Sequence, residues 1–420
     1  MPLGTPLTSV GLRPDPALSL YQLLDPDVLA DPYPLYSRLR REAPVHWDAY
    51  LGAWVMTRYA DVVDVFQNFS AARVPTPEQL DDMHLSELGP VARLMVRQMV
   101  SMDPPSHTRV RTLAARAFTP RRVEILRGHI QDVSNRLLNE IEGRSPSGGR
   151  GVMDAIADLG APLPAQATTE MLGVPSSDWQ RLEAWSTDFA ELLGDVQQMS
   201  GGTARVLQAV EEMTGYFREA VRRQAEAPTD GLVNALAGAE VGGDRFSEDE
   251  VVANLIATMV GGLETTTNLI GTGLLSLLRN PLQLERLRSD PALMPSAVEE
   301  MLRYESPSQR AVRVAPRDVE IAGRLIRKGE AVIAVIGAAN RDPSRFPEPD
   351  RLDLGRQDNR HVAFGWAGHF CFGAPVARIE AQIALATLLR RLPRLRLEPE
   401  PLVWRENLGL RGLRALRVSF

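Results

Sequence analysis

Apolar residues recur every three or four positions through most of the chain. From Val123 they fall at Leu126, Ile130, Val133, Leu137 and Ile141, the spacing of a helix with one buried stripe. Ser247 and Glu250 make a capping-box pattern, and the chain then stays apolar until Asn280 meets Pro281, which predicts one helix of about 34 residues and about 50 Å. A helix that long must cross the whole molecule. A second box, Ser296 with Glu299, predicts a shorter helix ending near Ser306 and Pro307. Strand-like runs are few: Val45 to Ala49 with Trp54 to Arg58, Val312 to Ala322, and Ala331 to Ile336. The pattern therefore predicts a mainly α fold with a small β subdomain. SPSGGRG at Ser145 to Gly151 and GAEVGGD at Gly238 to Asp244 read as flexible connections too short to separate domains. One domain over residues 1–420 is expected, with a short flexible amino-terminal segment to about residue 20.

Composition narrows the function. A net charge of -6 argues against nucleic acid as a partner. The basic residues are almost all arginine, with Lys328 the sole lysine, so any arginine cluster stands against an arginine-rich background. The first residues, MPLGTPLTSVGLRPDPALSL, lack the basic start and unbroken apolar run of an export signal, so a cytoplasmic protein is expected. Glu264 and a threonine run interrupt the most apolar stretch, Val251 to Leu278, which reads as a buried helix and not a membrane span. One cysteine forms no internal disulfide and cannot supply the four thiolates of an iron–sulfur cluster. The six histidines show no zinc-site spacing, so a metal is expected to arrive inside a cofactor.

Three places carry candidate chemistry. In HVAFGWAGHFCFGAPVARIE, Cys371 follows a glycine-bearing turn and precedes a helix beginning near Ala374 and Pro375, where N–H groups stabilise a thiolate. Without context, a lone cysteine is most often a small buried hydrophobe. In GGLETTTN, Gly261 and Gly262 remove side chains from one turn of the long helix, and Thr265 is placed to bond the Gly261 carbonyl, leaving a polar notch. Close helix packing at the glycines explains the same residues equally well. Glu300 and Arg303 lie three apart on one helix face, by default an exposed pair.

Together these motifs resemble the cytochrome P-450 family. Its signature loop, Phe-Gly-x-Gly-x-His-x-Cys-x-Gly, is matched at Phe364, Gly365, His369, Cys371 and Gly373, with Ala367 in place of the second glycine. That departure bears on the turn and on the N–H bonds to sulfur. The family's small-Gly-x-acid-Thr-Thr pattern matches Gly261 to Thr266. The resemblance runs from DPYPLYSRLR at Asp31 to LRGLRALRV near the carboxyl end. It implies one fold with a long central helix crossing a haem b, and Cys371 as axial thiolate and metal ligand. It further implies Thr265 holding oxygen and water, with Glu264 relaying protons from solvent. Glu300, Arg303 and Arg351 would form a structural cluster that supports the cysteine loop. The haem propionates would be met by His107, Arg111, Arg313 and His369, each taken singly an ordinary surface cation.

The function this implies is a bacterial monooxygenase that activates dioxygen and hydroxylates or epoxidises an apolar small molecule, such as a secondary metabolite. No flavin or nicotinamide segment is left over, so electrons would come from a ferredoxin served by a ferredoxin reductase to a monomeric enzyme. Arg109, Arg116, Arg121, Arg122 and Arg378 are candidates for the docking face. The competing readings are a peroxide-driven, coupling or desaturating member of the same family, and a non-catalytic haem sensor or carrier. A substrate pocket is expected between Ala71 and Val100, between Ser177 and Arg222, at Val260 and Gly261, and near Leu408 and Leu410.

Overall fold

The computed structural model describes residues 15–144, 150–194 and 203–420. Its axis is the helix Glu248–Arg279, 32 residues long. The Ser247 hydroxyl accepts from Glu250 N–H while the Glu250 carboxylate accepts from Ser247 N–H, so the expected capping box starts it. Asn280 ends it because a residue before proline is pushed out of the helical region.

This central helix is the shared wall of two apolar clusters. Its carboxyl-terminal half, with Leu269, Ile270, Leu274 and Leu277, packs with the helices Pro120–Gly143, Met294–Tyr304 and Ala374–Arg391. Its amino-terminal half, with Leu255, Ile256, Met259 and Leu263, packs with Trp185 and Phe189 of Trp179–Gly194 and Met213 and Phe217 of Thr203–Glu226. The junction between the halves falls at Gly261 to Thr265, so the polar notch sits where one core gives way to the other.

A four-stranded sheet stands to one side, in the order Val45–Asp48, Ala53–Met56, Ala331–Val335, Arg310–Val314. The outer two pairs are antiparallel and the middle pair is parallel. Arg313 lies opposite Val332 in that register, which fixes where its side chain leaves the sheet.

The structure departs from several expectations. The predicted strand Val312 to Ala322 is two strands, Arg310–Val314 and Val319–Ile321, broken at residues 315–318, and the second turns back on Arg324–Ile326 through Ala322 and Gly323, both at positive φ. The stretch expected to be flexible at Gly238 to Asp244 is likewise a tight hairpin, Glu240–Val241 against Asp244–Arg245, with Gly242 and Gly243 supplying the left-handed turn. Ser296 does not cap its helix. Pro295, with its preset φ, stands in the first turn of Met294–Tyr304, and the Ser296 hydroxyl donates instead to the carbonyls of Leu293 and Leu354. The amino-terminal segment is anchored before residue 20: Ser19 Oγ donates to the Asp48 carboxylate and Leu20 is buried. Residues 1–14, residues 145–149 of the first flexible stretch, and residues 195–202 of the expected pocket segment lie outside the described residues.

A buried acid lies on one of these helices. Glu380, on the helix Ala374–Arg391, is pushed up to about 8 by burial, which the neighbouring Thr266 hydroxyl offsets only in part. The folded protein keeps this proton to about pH 8, whereas an unfolded chain releases it near 4.5, so the Glu380 contribution to stability falls as pH rises between those values and levels off above them. Glu380→Gln is expected to flatten that part of the pH profile, read as the thermal midpoint between about pH 5 and pH 8. An unaltered slope would show that Glu380 is not the group responsible.

Candidate active site

The cysteine loop is shaped by backbone bonds and one tether. Val362 N–H donates to Asn340 Oδ1 at 2.8 Å and Cys371 N–H to the Phe364 carbonyl at 2.8 Å, so residues 364–371 close on themselves. Gly365 takes φ 72°, where glycine alone is free of strain. Ala367 takes φ 53°, so the alanine adopts the left-handed conformation that the signature glycine would allow, at a cost of about 1–2 kcal/mol. The turn is therefore retained, and the departure from the signature appears as local strain. Cys371 is free and accessible, immediately before the helix Ala374–Arg391. Burial pushes its thiol up, while the N–H groups of Gly373 and Ala374 and the cations of Arg111 and Arg378 pull the other way. Arg378 stacks over the Phe364 ring at 4.6 Å and binds both Glu299 oxygens at 2.7 and 2.9 Å. Burial alone would raise the Glu299 carboxyl, but Arg378 and His361 hold it down at about 2.

Beside the loop the fold gathers cations. The helix Ser106–Ala117 places His107 and Arg111 one turn apart, and the rings of His107 and His369 lie 4.1 Å apart. Arg111 Nη2 donates to the Phe370 carbonyl at 2.9 Å, tying this helix to the cysteine loop. His107 Nε2 and Arg313 Nε are buried without a partner. Burial, then the neighbouring His107 and Arg313, lowers His369 to about 4. Burial, then Arg111, lowers His107, and burial, then Arg73, lowers Arg313 to about 10. These four basic side chains, two of them with buried donors that have no partner, make a cradle for anions, and its donor set fits the two carboxylates of a haem.

On the central helix, the glycines divide by role. A Cβ on Gly271 or Gly273 would strike Ile156 or Met301, so those two serve close packing. A Cβ on Gly261 would meet nothing within 4 Å, and Gly261 is exposed in mid-helix, so its missing side chain leaves room for a flat group. Thr265 Oγ1 donates to the Gly261 carbonyl at 2.6 Å as expected. Thr258 and Thr272 make the same bond, so the notch comes from the glycine and not from the threonine. Glu264 is buried and fully engaged: Oε1 accepts from Thr187 Oγ1 at 2.7 Å and Oε2 from Arg405 Nη1 at 2.7 Å. Glu183, one helical turn before Thr187, is raised by burial and by Glu264. Neither Thr187 nor Arg405 carries a local sequence signal, since each lies dozens of residues from Glu264 along the chain.

The Glu300 cluster is buried, not exposed. Arg303 binds both Glu300 oxygens at 2.8 Å, with neither side chain accessible. Arg303 also donates to the carbonyls of Asn340, Pro349 and Arg351. The third side chain is Arg356, whose Nε reaches the Glu300 oxygens at 3.2 and 3.1 Å, with Asn359 Nδ2 at 3.2 Å. Arg351 was expected there, but its side chain is exposed and pairs with Glu348, because only its carbonyl faces inward.

Other expected residues sort as follows. Arg109, Arg122 and Arg378 are paired with Asp244 and Glu250, Asp230 and Glu299, whereas Arg116 and Arg121 are exposed. Val260 is buried in the amino-terminal half's cluster. Leu408 packs with Leu20, Leu23 and Tyr36 in the core at the sheet, where it and Leu410 also line a small cavity. Leu410 is half-buried and bridges Ser308.

A helical fold around one long helix, with a free cysteine at a helix start and an anion cradle beside it, defines the class built around a haem held by a cysteine thiolate. More particularly, the chain belongs to the cytochrome P-450 family, whose model matches residues 92–404, and is an oxidoreductase of the monooxygenase kind. It is 35% identical over 402 residues to the polyketide biosynthesis cytochrome P-450 PksS of Bacillus subtilis, covering 93% of this chain and 96% of that one. It is 36% identical over 421 residues to the cytochrome P-450 monooxygenase PikC of Streptomyces venezuelae, covering 98% and 97%. Among solved structures it is similar to P-450 BioI in complex with an acyl carrier protein bearing hexadec-9Z-enoic acid, with a TM-score of 0.87 and 32% identity over 94% of this chain and 99% of that one. No helix among the described residues is long and apolar enough to cross a membrane.

Arg356→Ala should leave Glu300 short of a buried partner and destabilise the protein by about 3 kcal/mol, with loss of haem content, whereas Arg351→Ala should cost less than about 1 kcal/mol. Thermal melts and pigment absorbance decide it, and equal effects would restore Arg351 to the cluster.

Proposed function

We propose that this protein is a haem-thiolate monooxygenase that uses dioxygen and electrons from a separate donor to oxidise an apolar small molecule. The observation that carries this is the convergence of the accessible Cys371 with a cradle of four basic side chains, two of which, His107 and Arg313, hold buried donors without a partner. Cys371 would hold the iron, and His107, Arg111, Arg313 and His369 the propionates. A haem b so held supplies the reductive activation of dioxygen.

The chain's own groups manage protons and access. Gly261 leaves open space that a flat cofactor would use, and Thr265 holds a hydroxyl at that opening. Glu264 carries protons inward, and because Thr187 and Arg405 hold both of its oxygens, it does so only when one of those bonds opens. A peroxide-driven enzyme or a haem carrier has no use for an acid and an alcohol side by side, so their presence favours dioxygen chemistry. Polyketide biosynthesis in the name of one relative and a fatty-acyl group on a structural neighbour's partner favour a largely apolar substrate, made or carried by an assembly-line protein. Electrons would come from a ferredoxin and its reductase, meeting the exposed Arg116, Arg121 and Phe370 on the cysteine side. The whole chain would act as one cytoplasmic unit.

Cys371→Ser is expected to abolish the red-shifted carbon monoxide spectrum of a thiolate-bound haem, and a variant that keeps this spectrum removes Cys371 as the ligand. Thr265→Ala is expected to lower product formation about 100-fold while reduced nicotinamide is still consumed and hydrogen peroxide accumulates. Parental coupling of product to nicotinamide in that variant would argue against the relay.

A further inference from the structure

Arg73 is a half-buried cation that the anion cradle as assigned above does not use. Backbone bonds between Ser70 and Val314, at 2.9 and 3.0 Å, pin its segment to the strand that carries Arg313. Arg73 thus sits beside Arg313, and the two guanidiniums repel strongly enough for Arg73 to lower its neighbour. Their hydrogen bonds go to backbone carbonyls alone: Arg73 Nη1 to Ala71 and Val100 at 3.4 Å each, and Arg313 Nη1 to Val312 at 2.9 Å. Arg313 is 6% exposed and its Nε has no partner. Asp103, the carboxylate that partly offsets Arg313, spends its oxygens on Ser70 Oγ and Ala71 N–H. Two adjacent guanidiniums, one buried and one half-buried, without an acid of their own repel each other unless an anion lies between them, and a carboxylate has acceptor sites for both.

We propose that Arg73 is a further cofactor-binding residue, which forms with Arg313 a two-guanidinium clamp for one haem propionate and ties that anion to residues 71 and 100. The proposal rests on the haem reading above. The rings of His107 and His369 lie 4.1 Å apart, and Arg111 stands one helical turn along from His107. One propionate therefore falls to the histidines and Arg111, and the other to Arg313 and Arg73. Because Arg73 grips the carbonyls of Ala71 and Val100, the clamp also closes the base of the 74–98 loop, the segment expected to line the substrate pocket. Filling the cofactor site then fixes both ends of that loop.

The test compares parent holoprotein with Arg73→Gln and Arg73→Lys, each first shown to have the thiolate spectrum, so that a failure of the haem reading appears in the parent and is not confused with a failure here. Haem transfer to excess apomyoglobin should be about tenfold faster from Arg73→Gln and within about threefold of the parent for Arg73→Lys. The reduction potential of Arg73→Gln should also fall, because removing a cation beside the haem favours the ferric charge, and Arg73→Lys should hold it near the parent value. Faster release with an unmoved potential would mean loosened packing and would overturn the proposal, as would parental values of both. Unchanged haem release with weaker spin-state binding of dodecanoate, but not of its methyl ester, would also overturn it, by assigning the anion to a substrate.

Discussion

The buried ion pair of Glu300 and Arg303 is the interaction on which the site depends. Neither side chain touches solvent, and between them they bind backbone or side-chain groups of residues 340, 349, 351, 353, 356 and 359. That irregular stretch has few apolar residues with which to bury itself, so ionic and polar bonds do what a core does elsewhere. The same Asn340 that Arg303 holds by its carbonyl uses its side chain to bind Val362, where the cysteine loop begins. The position of Cys371 is thus inherited, through a few charged and polar contacts, from a helix 70 residues earlier. Such a pair adds little net stability over apolar packing, but its loss leaves an uncompensated charge in the interior.

The central helix imposes the second constraint. It is buried almost all round because two separate cores press on its two halves, and only at their junction does a stretch of it stay open. Gly261 makes the opening, and Glu264 marks its edge. The acid is held by the helix Trp179–Gly194 and by the carboxyl-terminal segment, so three distant parts of the chain meet at one carboxylate. Any movement of the first helix against the central one changes the bonds of that acid, which under the proposed relay would link access to the site with the supply of protons.

The cationic cradle is a cost carried by the fold. His107, Arg313 and His369 are each shifted away from their charged forms, because burial and mutual repulsion act in the same direction. An anion that pairs with them reverses both effects. Cofactor binding and folding are therefore coupled in this region: the group that completes the site also relieves the repulsion that its absence leaves.

The sequence by itself determined the local elements and the motif-borne residues. Periodicity, a capping box and a proline stop were enough for the central helix, since these act within a few residues, and the signature around Cys371 pointed to the loop, its glycine turn and the helix that follows. Spacing along one helix placed His107 with Arg111 and Glu300 with Arg303. Tertiary structure decided whatever depends on meetings across the chain. Whether Gly261 packs or opens could be read only from what faces it. Arg356 displaced Arg351 because the inward-facing surface of an irregular segment has no period to read. Thr187 and Arg405 meet Glu264 across 77 and 141 residues, and Arg73 meets Arg313 through a bridge between separate segments. A charge carries no mark of its partner in a sequence with 46 arginines, and only the folded chain brings the two together.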